Sequence, residues 1–219
     1  MFQEINLLAS LPKSNRKVLD RKSSKTSAVI QISRQYGREY FDGDRSYGYG
    51  GYEYDGRWLS VAKDIVSHFG LKAGNRILDV GCAKGFLVHD LAIVCPGLEI
   101  FGLDISEYAL KNCKPEIADR LYLGCATRLP FPNNSFDAVI SINTIHNLDR
   151  AQALKALMEI ERLAPRRGFV QVDSYHNEEQ KFFFESWVLT AKYYDYPSGW
   201  LDLFKEAGYT GDYFWTIIN

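Results

Sequence analysis

Net charge is what this sequence has least of. Its 26 Lys and Arg nearly cancel its 27 Asp and Glu, leaving a formal net charge of -1. No long-range field then draws the chain to nucleic acid or to an anionic membrane, and neither is expected as a partner. Long apolar runs are missing as well. No stretch approaches the roughly 18 residues that span a bilayer. The opening MFQEINLLASLP has a glutamate before a broken apolar patch, whereas a secretory leader has a basic start and a longer apolar stretch. A cytoplasmic location is the expectation. Cysteine is scarce: Cys82, Cys95, Cys113 and Cys125 are scattered, with no CxxC pair. That pattern fits reduced thiols and offers neither a disulfide framework nor a zinc site, so no metal is expected. There is no internal repeat and no low-complexity tract.

What is present reads as one domain with an N-terminal elaboration, on a chain of 219 residues long enough to bury a large core. Residues 1–57 form an arm and lid, and residues 58–219 the main domain. In the arm, Lys13, Arg16, Lys17, Arg21, Lys22 and Lys25 make a basic run relieved only by Asp20, expected as a solvated arm or frayed helix. Residues 36–58, YGREYFDGDRSYGYGGYEYDGRW, alternate tyrosine, glycine and aspartate with neither helical nor strand period. They are expected as a loop or lid.

From Trp58 the pattern turns α/β. Trp58, Leu59, Ala62, Ile65, Val66 and Phe69 recur at helical spacing, and Gly70 stands where the helix stops. RILDV (76–80) is a short strand, followed by a glycine turn and a helix to about Val94. Glu99–Leu103 is a second strand, with Ser106 placed to cap the next helix. A short strand falls near Leu121–Leu123. FDAVISI (136–142) is apolar on both faces, as a central parallel strand must be. Ala151–Leu163 is amphipathic, Phe169–Asp173 is a strand, residues 178–194 an aromatic helical stretch and Trp200–Ala207 a short helix. This alternation predicts a mostly parallel sheet with right-handed crossovers and helices on both faces. Only about a dozen residues follow Ala207, enough for one strand but hardly for two and a turn.

The informative segment is Ile77-Leu78-Asp79-Val80-Gly81-Cys82-Ala83-Lys84-Gly85-Phe86. It sets a carboxylate at a strand end, then a glycine turn, then a helix whose N-terminal amides face a ligand. A nicotinamide dehydrogenase would show GxGxxG. Here the spacing is GxAxG, and Asp79 repels phosphate while attracting a sulfonium or an amino group. About 20 residues on, Asp104 ends the second strand, the position that receives ribose hydroxyls in a doubly wound fold.

ILDVGCAKGF resembles the first motif of the class I S-adenosylmethionine (SAM)-dependent methyltransferases. GLDIS resembles their acidic second motif. GCATRLPF and NNSFDAVISINTIHNL resemble the third and fourth, so that the likeness covers about residues 58–173. The resemblance implies a Rossmann-like fold, SAM as cofactor and S-adenosylhomocysteine as product. It implies Asp79, Gly81, Cys82, Ala83 and Gly85 around the methionine end, Asp104 on the ribose and Ile105 on the adenine. Ala126 then presents its backbone to the adenine edge, and Asn143 follows the fourth strand beside the methyl group. Ala83 replaces the family's middle glycine, and its methyl group fits where φ is negative. Cys125 stands where the family often has an aspartate that accepts from the adenine amine, which leaves that contact to backbone groups or to Thr127. The family's usual sheet has seven strands and ends in an antiparallel hairpin; here the last strand is expected to be missing.

Methyl transfer needs an aligned acceptor, exclusion of water and, for some acceptors, a base. His146, after the fourth strand, is the candidate base. A structural histidine bonded to backbone is the alternative. His176 and Asn177 are candidates to border the acceptor. Tyr47, Tyr49 and Tyr52 offer faces suited to a sulfonium, and Arg45 or Arg57 a partner for the methionine carboxylate. Phe182, Phe183, Phe184, Trp187, Tyr193, Tyr194 and Tyr196 shape an acceptor pocket or pack a core. The flanks resemble bacterial methyltransferases of polysaccharide and small-metabolite pathways, which implies a small acceptor such as a sugar derivative or an amine. An RNA or protein methyltransferase, and a SAM-binding module without catalysis, are the competing readings.

Overall fold

The computed structural model describes residues 2–12 and 18–218. Among the described residues four helices precede the first strand: α1 (Val18–Ser24), α2 (Ser27–Ser33), α3 (Arg38–Asp42) and α4 (Leu59–Phe69). Strands and helices then alternate: β1 (Arg76–Val80), α5 (Phe86–Val94), β2 (Glu99–Asp104), α6 (Glu107–Lys111), β3 (Leu121–Leu123), β4 (Ala138–Ile142), α7 (Arg150–Leu163) and β5 (Gly168–Ser174). Two further helices, α8 (Glu178–Trp187) and α9 (Pro197–Glu206), lead to β6 (Asp212–Ile217). The strands lie in the order β3-β2-β1-β4-β5-β6, and every neighbouring pair is parallel.

The sequence explains this layering. All residues of β4, AVISI, are buried, because helices cover both faces of the sheet and leave no polar side. On one face α7 and α9 pack Leu157, Trp200 and Phe204 against Val139 and Val170. On the other, α4 and α5 bring Ile65 and Leu91 to Ile77 and Ile140. The long helix α7 starts from a capping box in which Asp149 and Gln152 satisfy each other's backbone amides. Gly70 ends α4 in the left-handed region, at φ 59°. One strand follows Gly208, and it lies parallel beside β5. The family's closing antiparallel strand does not occur among the described residues. Chain order reverses between β1 and β4, so their carboxyl ends open a crevice, the usual ligand position in open α/β sheets.

Several boundaries differ from expectation. The strand expected from 136 starts pairing at Ala138; Phe136 turns instead into an aromatic nest with Phe101 and Phe131. The helix expected over 178–194 stops at Trp187. Segment 36–58 contains a helix, α3. Nor do the described parts of the arm extend freely into solvent. Ile5 donates to the Tyr213 carbonyl and Tyr213 to that of Gln3, at 2.9 and 3.1 Å, while Leu7 is buried among α4 and sheet residues. The Arg21 guanidinium lies 4.4 Å over the Trp187 ring and the Lys22 ammonium 4.1 Å over Phe182. Lys13, Arg16 and Lys17 lie outside the described residues. No helix among the described residues is long and apolar enough to cross a membrane.

Candidate active site

A cavity of about 330 Å³ opens at the carboxyl ends of β1, β2, β3 and β4. The sheet supplies Asp79, Gly81, Cys82, Ala83, Asp104, Ile105, Cys125, Ala126 and Asn143 to its lining. Residues far away in sequence complete it: Tyr36, Tyr40, Phe41, Tyr49 and Tyr52 from the N-terminal segment, and Lys192 from beyond β5.

Asp79 is 4% exposed, and its carboxylate has no hydrogen-bond partner among the described residues. Burial, and next the charge of Asp104, push its carboxyl up to about 7. Asp104 is differently placed. Its Oδ2 accepts from the Ala83 amide and its Oδ1 from the Ser106 amide, both at 2.8 Å. Burial raises its pKa and these amides oppose the rise. A carboxylate offers about four acceptor positions, so each oxygen retains one for a second donor. Ile105, 61% exposed, gives the cavity a flat apolar wall beside it.

Gly81 is required twice over. Its φ is +86°, and a Cβ there would stand 1.9 Å from Thr144 Oγ1. The amides of Gly81 and Cys82 both donate to the Leu103 carbonyl, so they tie the turn to β2 and do not face the cavity as expected. Ala83 overturns its expectation outright. Its φ is +51°, in the left-handed region, where a non-glycine residue costs about 1–2 kcal/mol. The hydrogen bond to Asp104 holds it there.

Gly85 does not line the cavity. A Cβ on it would meet Ile117 Cδ1 at 2.6 Å, so glycine here permits packing between the turn and the β3 approach. Thr127 lies outside the lining too, its hydroxyl 3.1 Å from Cys125 Sγ. Arg57 is exposed and forks onto Asp55; a partner two residues away captures it locally. Arg45 stacks 5.3 Å over Trp187 instead of facing the cavity. Asn177 caps α8, and neither it nor His176 reaches the lining. Phe183, Trp187, Tyr194 and Tyr196 pack around fully buried Phe184, Tyr193 packs on Trp200 and Phe182 is exposed; none of them reaches the lining.

His146 is 4% exposed and lies outside the lining. Its Nδ1 accepts from the Asp173 amide at 3.0 Å, which assigns the proton to Nε2, 3.8 Å from the Asp173 carboxylate. Burial lowers its pKa, Asp173 opposing. With its one lone pair occupied, His146 cannot take a proton from an acceptor, and its expected role as base fails on this geometry.

Sequence reasoning missed the polar features that close the site. Lys84, within the glycine turn, is buried and reaches both carboxylate oxygens of Asp42, at 2.8 and 2.7 Å. Asp42 also accepts from Tyr108 Oη at 2.7 Å and the Tyr52 amide at 3.0 Å. The lone lysine in GCAKGF was the available signal; its partner, forty-two positions earlier, had none. Arg34, Asn147, Gln152 and Lys192 also line the cavity.

The donor set fits SAM. An unpaired buried carboxylate suits a cationic group, a second carboxylate with open positions suits a diol, and Ile105 suits a flat base. The architecture is that of a Rossmann-like class I methyltransferase. The comparisons with known proteins agree. Residues 78–172 match the methyltransferase domain family. A demethylmenaquinone methyltransferase of Symbiobacterium thermophilum is 34% identical over 54% of this chain and 50% of its own. A tRNA (carboxymethyluridine(34)-5-O)-methyltransferase of Arabidopsis thaliana is 31% identical over 63% of this chain and 33% of its own. The chain thus spans half the length, or less, of these relatives. Among solved structures, a chain from the complex of the Haloferax volcanii Trm112 methyltransferase activator with a methyltransferase shares the fold. Its TM-score is 0.54 at 22% identity, over 83% of this chain and 74% of that one. Residues 78–172 thus form a methyltransferase domain on a Rossmann-like class I fold, and the cofactor that this domain supports is SAM.

Proposed function

We propose that this chain transfers a methyl group from SAM to a small-molecule acceptor in the cavity at the β1–β4 crevice. The observation that carries the reading is Asp79, a buried carboxylate with no partner among the described residues, facing the cavity next to the glycine turn. SAM supplies an electrophilic methyl group when bound. Asp79 holds the cationic methionine end, Asp104 the ribose hydroxyls, and Ile105 with the Cys125–Ala126 backbone the adenine. Asn143, held in the left-handed region at φ 54°, stays fixed because its amide donates to Gln171 Oε1 at 2.8 Å. Tyr49 and Tyr52 keep water from the reacting centre. Because His146 is committed elsewhere, alignment and water exclusion carry the rate, and alignment alone can supply about 7–11 kcal/mol.

Small acceptors are favoured because the N-terminal aromatics roof the cavity and net charge is nearly zero. The relatives' names span a quinone precursor, sterols and a tRNA base, so they favour no single acceptor. Four free cysteines support a reducing, cytoplasmic setting. Calorimetry is the test: SAM and S-adenosylhomocysteine should bind and NAD should not. Binding of NAD without SAM would overturn the reading. Labelled SAM incubated with cell metabolites separates an enzyme from a binding module, since only an enzyme releases a labelled product.

A further inference from the structure

The cavity carries charges of both signs. Its carboxylates, Asp79 and Asp104, stand at the ends of β1 and β2, and its cations, Arg34 and Lys192, come from other segments. Arg34 follows α2, and its Nη2 donates to the Ala191 carbonyl at 2.9 Å, next to Lys192. The Lys192 amide donates to the His146 carbonyl at 2.9 Å, next to Asn147. Three segments remote in sequence thus converge at the cavity.

Neither cation has a carboxylate partner among the described residues. Several cations elsewhere do find one: Arg57 on Asp55, Lys84 on Asp42, Arg150 on Glu206 and Arg162 on Glu159. Arg34 spends one N–H on a carbonyl and keeps the rest of its planar fork. Asn147 adds an independent sign of a ligand. Its Nδ2 donates to the Asn143 carbonyl at 2.9 Å, while its Oδ1 is buried without a partner. A buried acceptor left unmade costs about 1–3 kcal/mol, and a donor on a bound molecule removes that cost.

We propose that Arg34 and Lys192 form an anion subsite, and that the methyl acceptor carries a carboxylate or phosphate there with an O–H or N–H donating to Asn147 Oδ1. The proposal rests on the reading of this cavity as the methyl-transfer site. A planar guanidinium matches a carboxylate bidentately, and Tyr36 and Tyr40 also line the cavity. The acceptor is therefore a hydroxylated or amino-bearing small acid, and not a neutral sterol-like compound or a cationic amine.

The test uses the full chain saturated with S-adenosylhomocysteine and three probes of one shape: 4-hydroxybenzoate, 4-hydroxybenzyl alcohol and 4-hydroxybenzylamine. The anion should bind at least tenfold more tightly than the other two. Arg34→Gln combined with Lys192→Gln should erase that preference, and Arg34→Lys with Lys192→Arg should keep most of it. Both side chains are exposed, so the variants should fold, which their melting temperatures verify. Equal or undetectable affinity for the three probes overturns the subsite while leaving the cofactor site standing. The cofactor's own carboxylate is the other source of an anion. If the double glutamine variant loses S-adenosylhomocysteine affinity more than tenfold but keeps that for methylthioadenosine, which lacks the carboxylate, the cations serve the cofactor and the proposal falls. Failure of the wild-type chain to bind S-adenosylhomocysteine would instead remove the proposed function itself.

Discussion

Under the proposed function, Asp79 ties cofactor binding to protons. Its carboxyl, held up to about 7 by burial and then by Asp104, keeps its proton in the folded chain more tightly than in the unfolded one. The stability this contributes is complete below the unfolded value near 4 and is lost as pH rises through about 7. Across that window it amounts to roughly 3–4 kcal/mol. A cation placed beside Asp79 draws the proton off. Calorimetry at pH 6 in two buffers of different ionisation enthalpy should therefore register proton release on SAM binding. Asp79→Asn should abolish the release and weaken SAM at least tenfold; release that survives the substitution would assign it to another group. Ala83 permits a sign test. At a negative φ, Ala83→Gly would cost about 0.5–1 kcal/mol. At φ +51° it should leave chemical-denaturation stability unchanged or raise it by up to about 1 kcal/mol. This residue also marks where sequence reading stops. GxAxG spacing specifies a tight turn, but not that alanine sits in the glycine-like position, because the restraint comes from Asp104, 21 positions away.

Among the elements, the segment from α3 to Trp58 is latched at two points. Asp42 binds Lys84 and Tyr108, and Tyr54 Oη donates to Asp90 Oδ1 at 2.7 Å. Burial works against the Asp42 charge, but bonds from Lys84, Tyr108 and Tyr52 outweigh it and hold the carboxyl below its ordinary value. Such a group stabilises above its unfolded pKa near 4 and lets go as pH falls through its lowered one, so the latch stays shut at neutral pH. Lys84→Met takes the cation from Asp42, which keeps Tyr108 and the Tyr52 amide. Asp42 is half-buried, so the loss should fall below the roughly 3–5 kcal/mol of a fully buried pair. Faster hydrogen exchange across residues 38–54 and at least tenfold weaker S-adenosylhomocysteine binding should follow. In the unaltered chain, cofactor should raise protection over residues 45–57. Equal protection with and without it would make the segment a permanent wall. The α/β core was legible because its strands are short apolar runs and α7 has a strong helical period. Helix α3 was not, since its glycine-rich surroundings mask five residues held by contacts to Lys84 and α6. The carboxylates at the strand ends were readable for the same local reason. Arg34, Asn147 and Lys192 were not, because only the folded chain makes them neighbours.

At the scale of the molecule, residues 3–5 continue the sheet beyond β6, and Leu7 is buried against α4. Removing residues 1–12 exposes that edge and the apolar surface of Ile5, Leu7 and Leu8. Loss of about 2–4 kcal/mol is expected from Leu7 and its neighbours, together with self-association through the bared edge. Urea titration and light scattering should report both changes; an unchanged midpoint with a monomeric chain would make the contact incidental. The all-parallel strand order also has a consequence in time. β1, the strand that carries Asp79, pairs on one side with β2, but its other side waits for β4, where Ile77 meets Ala138. At about 5–20 residues per second of synthesis, some sixty residues take roughly 3–12 s. During that interval the innermost ladder of the protein is an open edge in the nascent chain. The crevice that receives the cofactor is therefore finished late, and a ligand able to reward its closure has nothing to bind until β4 has left the ribosome.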